Sequence, residues 1–115
     1  MELIMLLITL PVFCTSKENI DCFNREVDPK GFLYRGFKSS TMNGRICQKW
    51  TSQSPNNHGR TPQSFPNAGL GDHNYCRNPD GEPGGPWCYN SHGTSPRWEY
   101  CGIPYCDAST AGMEA

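Results

Sequence analysis

The sequence lacks any apolar run long enough to cross a bilayer, which takes about 20 residues; its longest, Leu3 to Phe13, has 11. It also lacks an excess of one charge. Ten Lys and Arg stand against eleven Asp and Glu, so no basic face for nucleic acid or anionic lipid is expected. Helical periodicity is nearly absent, and no internal repeat is visible. No Asn-x-Ser/Thr sequon occurs, which argues against N-glycosylation. There is no Cys-x-x-Cys pair, and His58, His73 and His92 are scattered, so no metal and no cofactor is expected and the histidines receive no role. No Gly-Asp-Ser-Gly nucleophile motif is present, nor the His and Asp that would serve it, and the chain reads as no enzyme. Hydrophobic residues make up 36% of the 115, so a core alone would be marginal at this size.

What is present explains how such a chain folds. Seven cysteines occur, at 14, 22, 47, 76, 88, 101 and 106. The first lies in an N-terminal stretch, MELIMLLITLPVFCTS, that reads as a signal peptide over 1–16. Cys14 and Ser16 supply the small residues a peptidase needs before a cut after Ser16. A bacterial lipoprotein cysteine is the rival reading of Cys14, and bulky Val12 and Phe13 argue against it. Cleavage leaves six cysteines and ten charges of each sign, the expectation for a secreted, extracellular, disulfide-stapled module. Residues 17–21 form a polar lead, 22–106 the cysteine-bounded domain, and 107–115 a small-residue tail expected to be flexible.

Twelve glycines and ten prolines punctuate the domain. Asp28-Pro29-Lys30-Gly31, Asn78-Pro79-Asp80-Gly81 and Glu82-Pro83-Gly84-Gly85-Pro86 are turn sequences, in which Pro presets φ and Gly supplies positive φ. Short strand-like pieces remain at Trp87-Cys88-Tyr89 and Arg97-Trp98-Glu99-Tyr100-Cys101. The fold class is therefore small, disulfide-rich, loop-dominated β with short antiparallel ribbons. Six cysteines allow 15 pairings, and spacing does not choose among them.

The stretch from Cys22 to Cys106 resembles the kringle domain family. The residues that carry the likeness are Tyr34-Arg35-Gly36, Gly44-Arg-Ile-Cys47-Gln48-Lys-Trp50, Thr61-Pro62 and Pro66-Asn-Ala68-Gly69-Leu70. Asn74-Tyr75-Cys76-Arg77-Asn78-Pro79-Asp80-Gly81, Gly85-Pro86-Trp87-Cys88-Tyr89 and Arg97-Trp98-Glu99-Tyr100-Cys101-Gly-Ile-Pro104-Tyr-Cys106 complete it. The pattern is similar to that of the lysine-binding kringles of plasminogen. The resemblance implies the pairing Cys22–Cys106, Cys47–Cys88 and Cys76–Cys101. One departure is the eleven-residue spacer Phe23 to Leu33 ahead of Tyr34, longer than the family usually has. A local bulge turning at Asp28-Pro29 is expected there, with the core intact and the Cys22–Cys106 bridge the one most exposed to any error.

The resemblance further implies a site for a lysine side chain near a free carboxylate. It assigns an anionic pair to Asp80 and Glu82, an aromatic trough to Trp87, Tyr89 and Trp98, and a cationic far end to Arg97 with Arg60 assisting. Phe65 is a candidate wall, while Trp50, Leu70 and Tyr75 are assigned to packing. Four methylenes buried in such a trough contribute about 3 kcal/mol, and a cation over an indole adds ~0.5–2 kcal/mol. An exposed ion pair contributes only ~0–1 kcal/mol, so the trough would supply affinity and the charges selectivity. The implied partners are lysine-bearing extracellular proteins, fibrin-like or cell-surface, met by a monomer. Two alternatives stand beside this reading. One is a kringle fragment of a serine-protease zymogen, and the other a receptor- or growth-factor-type kringle that binds proteins without a lysine pocket.

Overall fold

The structure, a computed structural model, describes residues 21–106. The signal-peptide reading of 1–16, the lead at 17–20 and the tail at 107–115 lie outside the described residues. Within them the fold is loop-dominated β with three disulfides, as expected from the sequence. No helix among the described residues is long and apolar enough to cross a membrane.

Two three-residue strands form the only named sheet among the described residues, β1 (Trp87–Tyr89) and β2 (Trp98–Tyr100). They run antiparallel with Trp87 opposite Tyr100, Cys88 opposite Glu99 and Tyr89 opposite Trp98. Because side chains alternate along a strand, this register gathers Trp87, Tyr89, Trp98 and Tyr100 on one face and sends Cys88 and Glu99 to the other. The aromatic face is joined edge to face, with Trp87–Trp98 centroids 5.3 Å apart and Trp98–Tyr100 5.1 Å apart. Trp50 is fully buried against it, 5.2 Å from Trp87 and 5.9 Å from Tyr89, and its indole N–H donates to the Tyr75 carbonyl at 2.7 Å. Leu70 packs on the same cluster. Tyr75 is half-buried between the rings of His73 and Phe37.

On the opposite face, Cys88 pairs with Cys47, and Cys76 with Cys101. The two inner bridges touch, with Cys47 Sγ 3.9 Å from Cys76 Sγ. All four sulfurs lie within 4.8 Å of one another, a grouping that would suit a metal were the thiols free. Each is consumed in a disulfide. Glu99 is also buried here, and its carboxylate accepts from Arg45 and Asn43, both at 2.8 Å, fixing the Thr41–Arg45 turn to β2.

The long spacer before Tyr34 folds as two consecutive turns. Asn24 Oδ1 accepts from the amides of Glu26 and Val27, and Asp28 Oδ1 and Oδ2 accept from those of Phe32 and Leu33. Both are side chains suited to bond their own downstream backbone. Gly31 turns the chain at φ +73°, and a Cβ there would meet Pro86 at 2.8 Å, so only glycine lets the bulge lie this close. Cys22–Cys106 is formed, flanked by Phe23 N–H to Pro104 O at 3.1 Å and Cys106 N–H to Phe23 O at 2.8 Å.

Candidate functional site

The Asn78–Glu82 turn is held from inside. Asn78 is fully buried, and its amide nitrogen donates to the carbonyls of Glu82 (2.9 Å) and Lys30 (2.7 Å). Its oxygen accepts from the Glu82 amide at 2.8 Å and the Trp87 indole at 3.2 Å. With Gly81 at φ +71° the loop is closed, and Asp80 is carried on its rim. Asp80 Oδ1 accepts a second bond from the Trp87 indole N–H at 3.2 Å, which ties the carboxylate to the aromatic face of the sheet.

Arg60 sits where the sequence reading does not put it. Its Nη2 donates to Asp80 Oδ2 at 2.7 Å and its Nε to the same oxygen at 3.1 Å. The guanidinium also lies 5.9 Å from the centroid of Phe65. The bond to Asp80 raises the guanidinium pKa above its ordinary value, and Glu82 adds to that field. The sequence reading assigns Arg60 to a cationic far end; in the structure its guanidinium is paired with Asp80, the His58–Arg60 loop passing beside the 78–82 turn. Glu82 is half-buried, and its backbone is fixed by Asn78.

The three rings that the sequence reading assigns to a trough are unequally exposed. Trp87 and Tyr89 are only 3% and 4% exposed, because both point from β1 into the Trp50 core. Of the three trough residues, Trp98 alone is half-buried and able to offer an open ring face. Arg97 is exposed, stacks over Tyr89 with its guanidinium carbon 5.0 Å from the centroid, and donates to the Asn57 carbonyl at 2.9 Å. Burial raises the Tyr89 phenol pKa, opposed by Arg60 and Arg97 and supported by Asp80. Asp80, Arg60, Arg97, Tyr89, Trp87, Trp98 and Phe65 are therefore brought to one region, in a different arrangement from the simple two-ended groove.

One participant has no signal in the sequence. The His58 ring stacks on Tyr89, centroids 4.5 Å apart and 27° from parallel. Its Nδ1 accepts the Arg60 amide N–H at 3.1 Å, so Nε2 carries the proton and donates to the Ser52 carbonyl at 2.9 Å. His58 fixes the backbone from which Arg60 reaches Asp80. Nothing in its neighbours Asn57 and Gly59 announces a contact with a strand so far along the chain.

The arrangement can present carboxylates beside an indole face, with a guanidinium on the neighbouring strand end. Comparison with known proteins agrees with the architecture. The chain is 46% identical over 98 residues to plasminogen from Capra hircus, covering 81% of this chain and 72% of that protein. A family model described as the kringle domain, a non-catalytic module, matches residues 26–106. The chain belongs to the kringle domain family.

Proposed function

We propose that this kringle is a secreted binding module that captures exposed lysine side chains on extracellular partner proteins. The observation that carries the reading is the placement of Asp80, bonded to the Trp87 indole, beside the face shared with Trp98. An ammonium would meet Asp80 and Glu82, its methylenes the Trp98 ring, and a neighbouring carboxylate Arg97. Bidentate guanidinium contacts suit that last partner. The likeness to plasminogen supports both the extracellular setting and protein binding as the task.

A second reading is favoured by the Arg60–Asp80 ion pair: a kringle that binds proteins through another face and has no lysine pocket. Immobilised lysine separates the two. The mature protein is expected to be retained and to be eluted by 6-aminohexanoic acid. Asp80→Asn should weaken that retention at least tenfold, since a charged hydrogen bond contributes roughly 1.5–3 kcal/mol. Trp98→Ala should do the same through the lost ring face, with all three disulfides intact. Passage of the wild-type protein without retention would eliminate lysine capture and leave the second reading.

A further inference from the structure

We propose that Arg60 is a built-in competitor for the ligand's ammonium, occupying Asp80 in the free protein and swinging away when a lysine side chain binds. The inference rests on the capture reading above. Arg60 has what that reading assigns to the ligand. Its guanidinium holds the carboxylate through two donors at 2.7 and 3.1 Å, and an aromatic ring, Phe65, lies 5.9 Å away. Asp80 has little room for another cation, since its side chain is 17% exposed and its second oxygen is taken by the Trp87 indole.

The competitor is tethered but free to move. The Arg60 backbone is fixed by its N–H to His58 Nδ1, and His58 is fixed in turn by Ser52 and Tyr89. The Arg60 side chain is 40% exposed, so its head can leave for solvent without unfolding the loop. Binding then exchanges one charged contact for another, and the pair lowers affinity for lysine instead of adding to it. This reverses the sign expected of a cation at the site.

The test compares wild-type protein, R60Q and R60K by calorimetric titration with 6-aminohexanoic acid. R60Q keeps the backbone N–H that His58 accepts and removes the charge from Asp80. It is expected to bind about tenfold more tightly, the low end for a displaced charged contact with one partner well exposed. R60K, whose ammonium still reaches Asp80, should stay within about threefold of wild type, the scatter ordinary for such contacts. Equal or weaker binding by R60Q overturns the proposal while lysine capture stands, and absence of binding by all three proteins ends both. Should R60Q fail to fold, the Arg60 Nε–H resonance of the ¹⁵N-labelled wild type decides. Saturation with ligand is expected to move it to the free-arginine position with faster exchange, and an unchanged resonance overturns the proposal.

Discussion

A histidine ring has two nitrogens, and at His58 and His73 both are engaged in the same way. Each accepts at Nδ1 the amide two residues on, from Arg60 and Tyr75 at 3.1 Å, and each donates from Nε2 to a carbonyl at 2.9 Å. Each also stacks on a tyrosine. A second proton has nowhere to go without breaking the Nδ1 bond. Burial, helped by the nearby arginines, lowers both pKa values from the ordinary 6.5. The sign follows from linkage: below pH 6.5 the unfolded chain takes protons that the folded rings refuse, so stability is full above that pH and falls as the pH drops through it. Proton NMR of the ring Cε1–H signals should show both titrating below 6.5, and the urea midpoint should be lower at pH 5.5 than at pH 7. A ring titrating at or above 6.5 would sink the assignment. At this scale the sequence was least legible. Asp80 announces itself as a turn residue, but that Arg60 would cover it, and that His58 would hold Arg60, depends on two loops meeting side by side.

The strands are too short to stabilise themselves, and the element that fixes the site is a set of buried carboxamides. Gln48 is 2% exposed; its nitrogen donates to the carbonyls of Ser52 and Asn56, and its oxygen accepts from the backbone and side-chain N–H of Asn56. Asn56 Nδ2 donates in turn to the carbonyl of Asn90, the residue following β1. The loop carrying His58 and Arg60 is thereby fastened to the end of the sheet. Gln48→Ala leaves several of these groups unpaired in the interior, at about 1–3 kcal/mol each when uncompensated. A net loss of about 2–4 kcal/mol is expected, read as a drop of roughly 4–8 °C in Tm per kcal/mol for a domain of this size. Gln53→Ala, which removes only an exposed bond to the His58 amide, should change Tm little. Equal effects of the two would show that the carboxamides do not organise the loop. The strand pieces were readable because Trp-Cys-Tyr and Trp-Glu-Tyr can hardly be anything else between turn sequences. The carboxamides were not, since a Gln or Asn reads as surface until its partners are known.

For the whole molecule, covalent closure and packing rank the bridges differently. Chain entropy makes the loop between Cys22 and Cys106, 84 residues, the most stabilising, at about 4.6 kcal/mol against about 3.5 kcal/mol for the 25 between Cys76 and Cys101. Packing points the other way. Cys76 and Cys101 are fully buried and touch the second inner bridge, whereas Cys22 and Cys106 are half-buried at the edge. The ends they join are also held by the Phe23–Pro104 and Phe23–Cys106 backbone bonds, by the Phe23–Tyr105 ring pair at 5.0 Å, and by Arg25 over Tyr105 at 4.4 Å. Removing the outer bridge with C22A/C106A should therefore lower stability by roughly 2–4 kcal/mol while leaving the core, and the lysine retention proposed above, in place. Removing an inner one with C76A/C101A takes away the sulfurs on which the back of the sheet rests. The dispersed indole resonances of Trp50, Trp87 and Trp98 should then collapse, and retention should vanish. Heteronuclear NMR and the lysine column read both outcomes. If the outer variant loses the dispersed spectrum and the inner variant keeps it, loop entropy rather than core packing governs this fold.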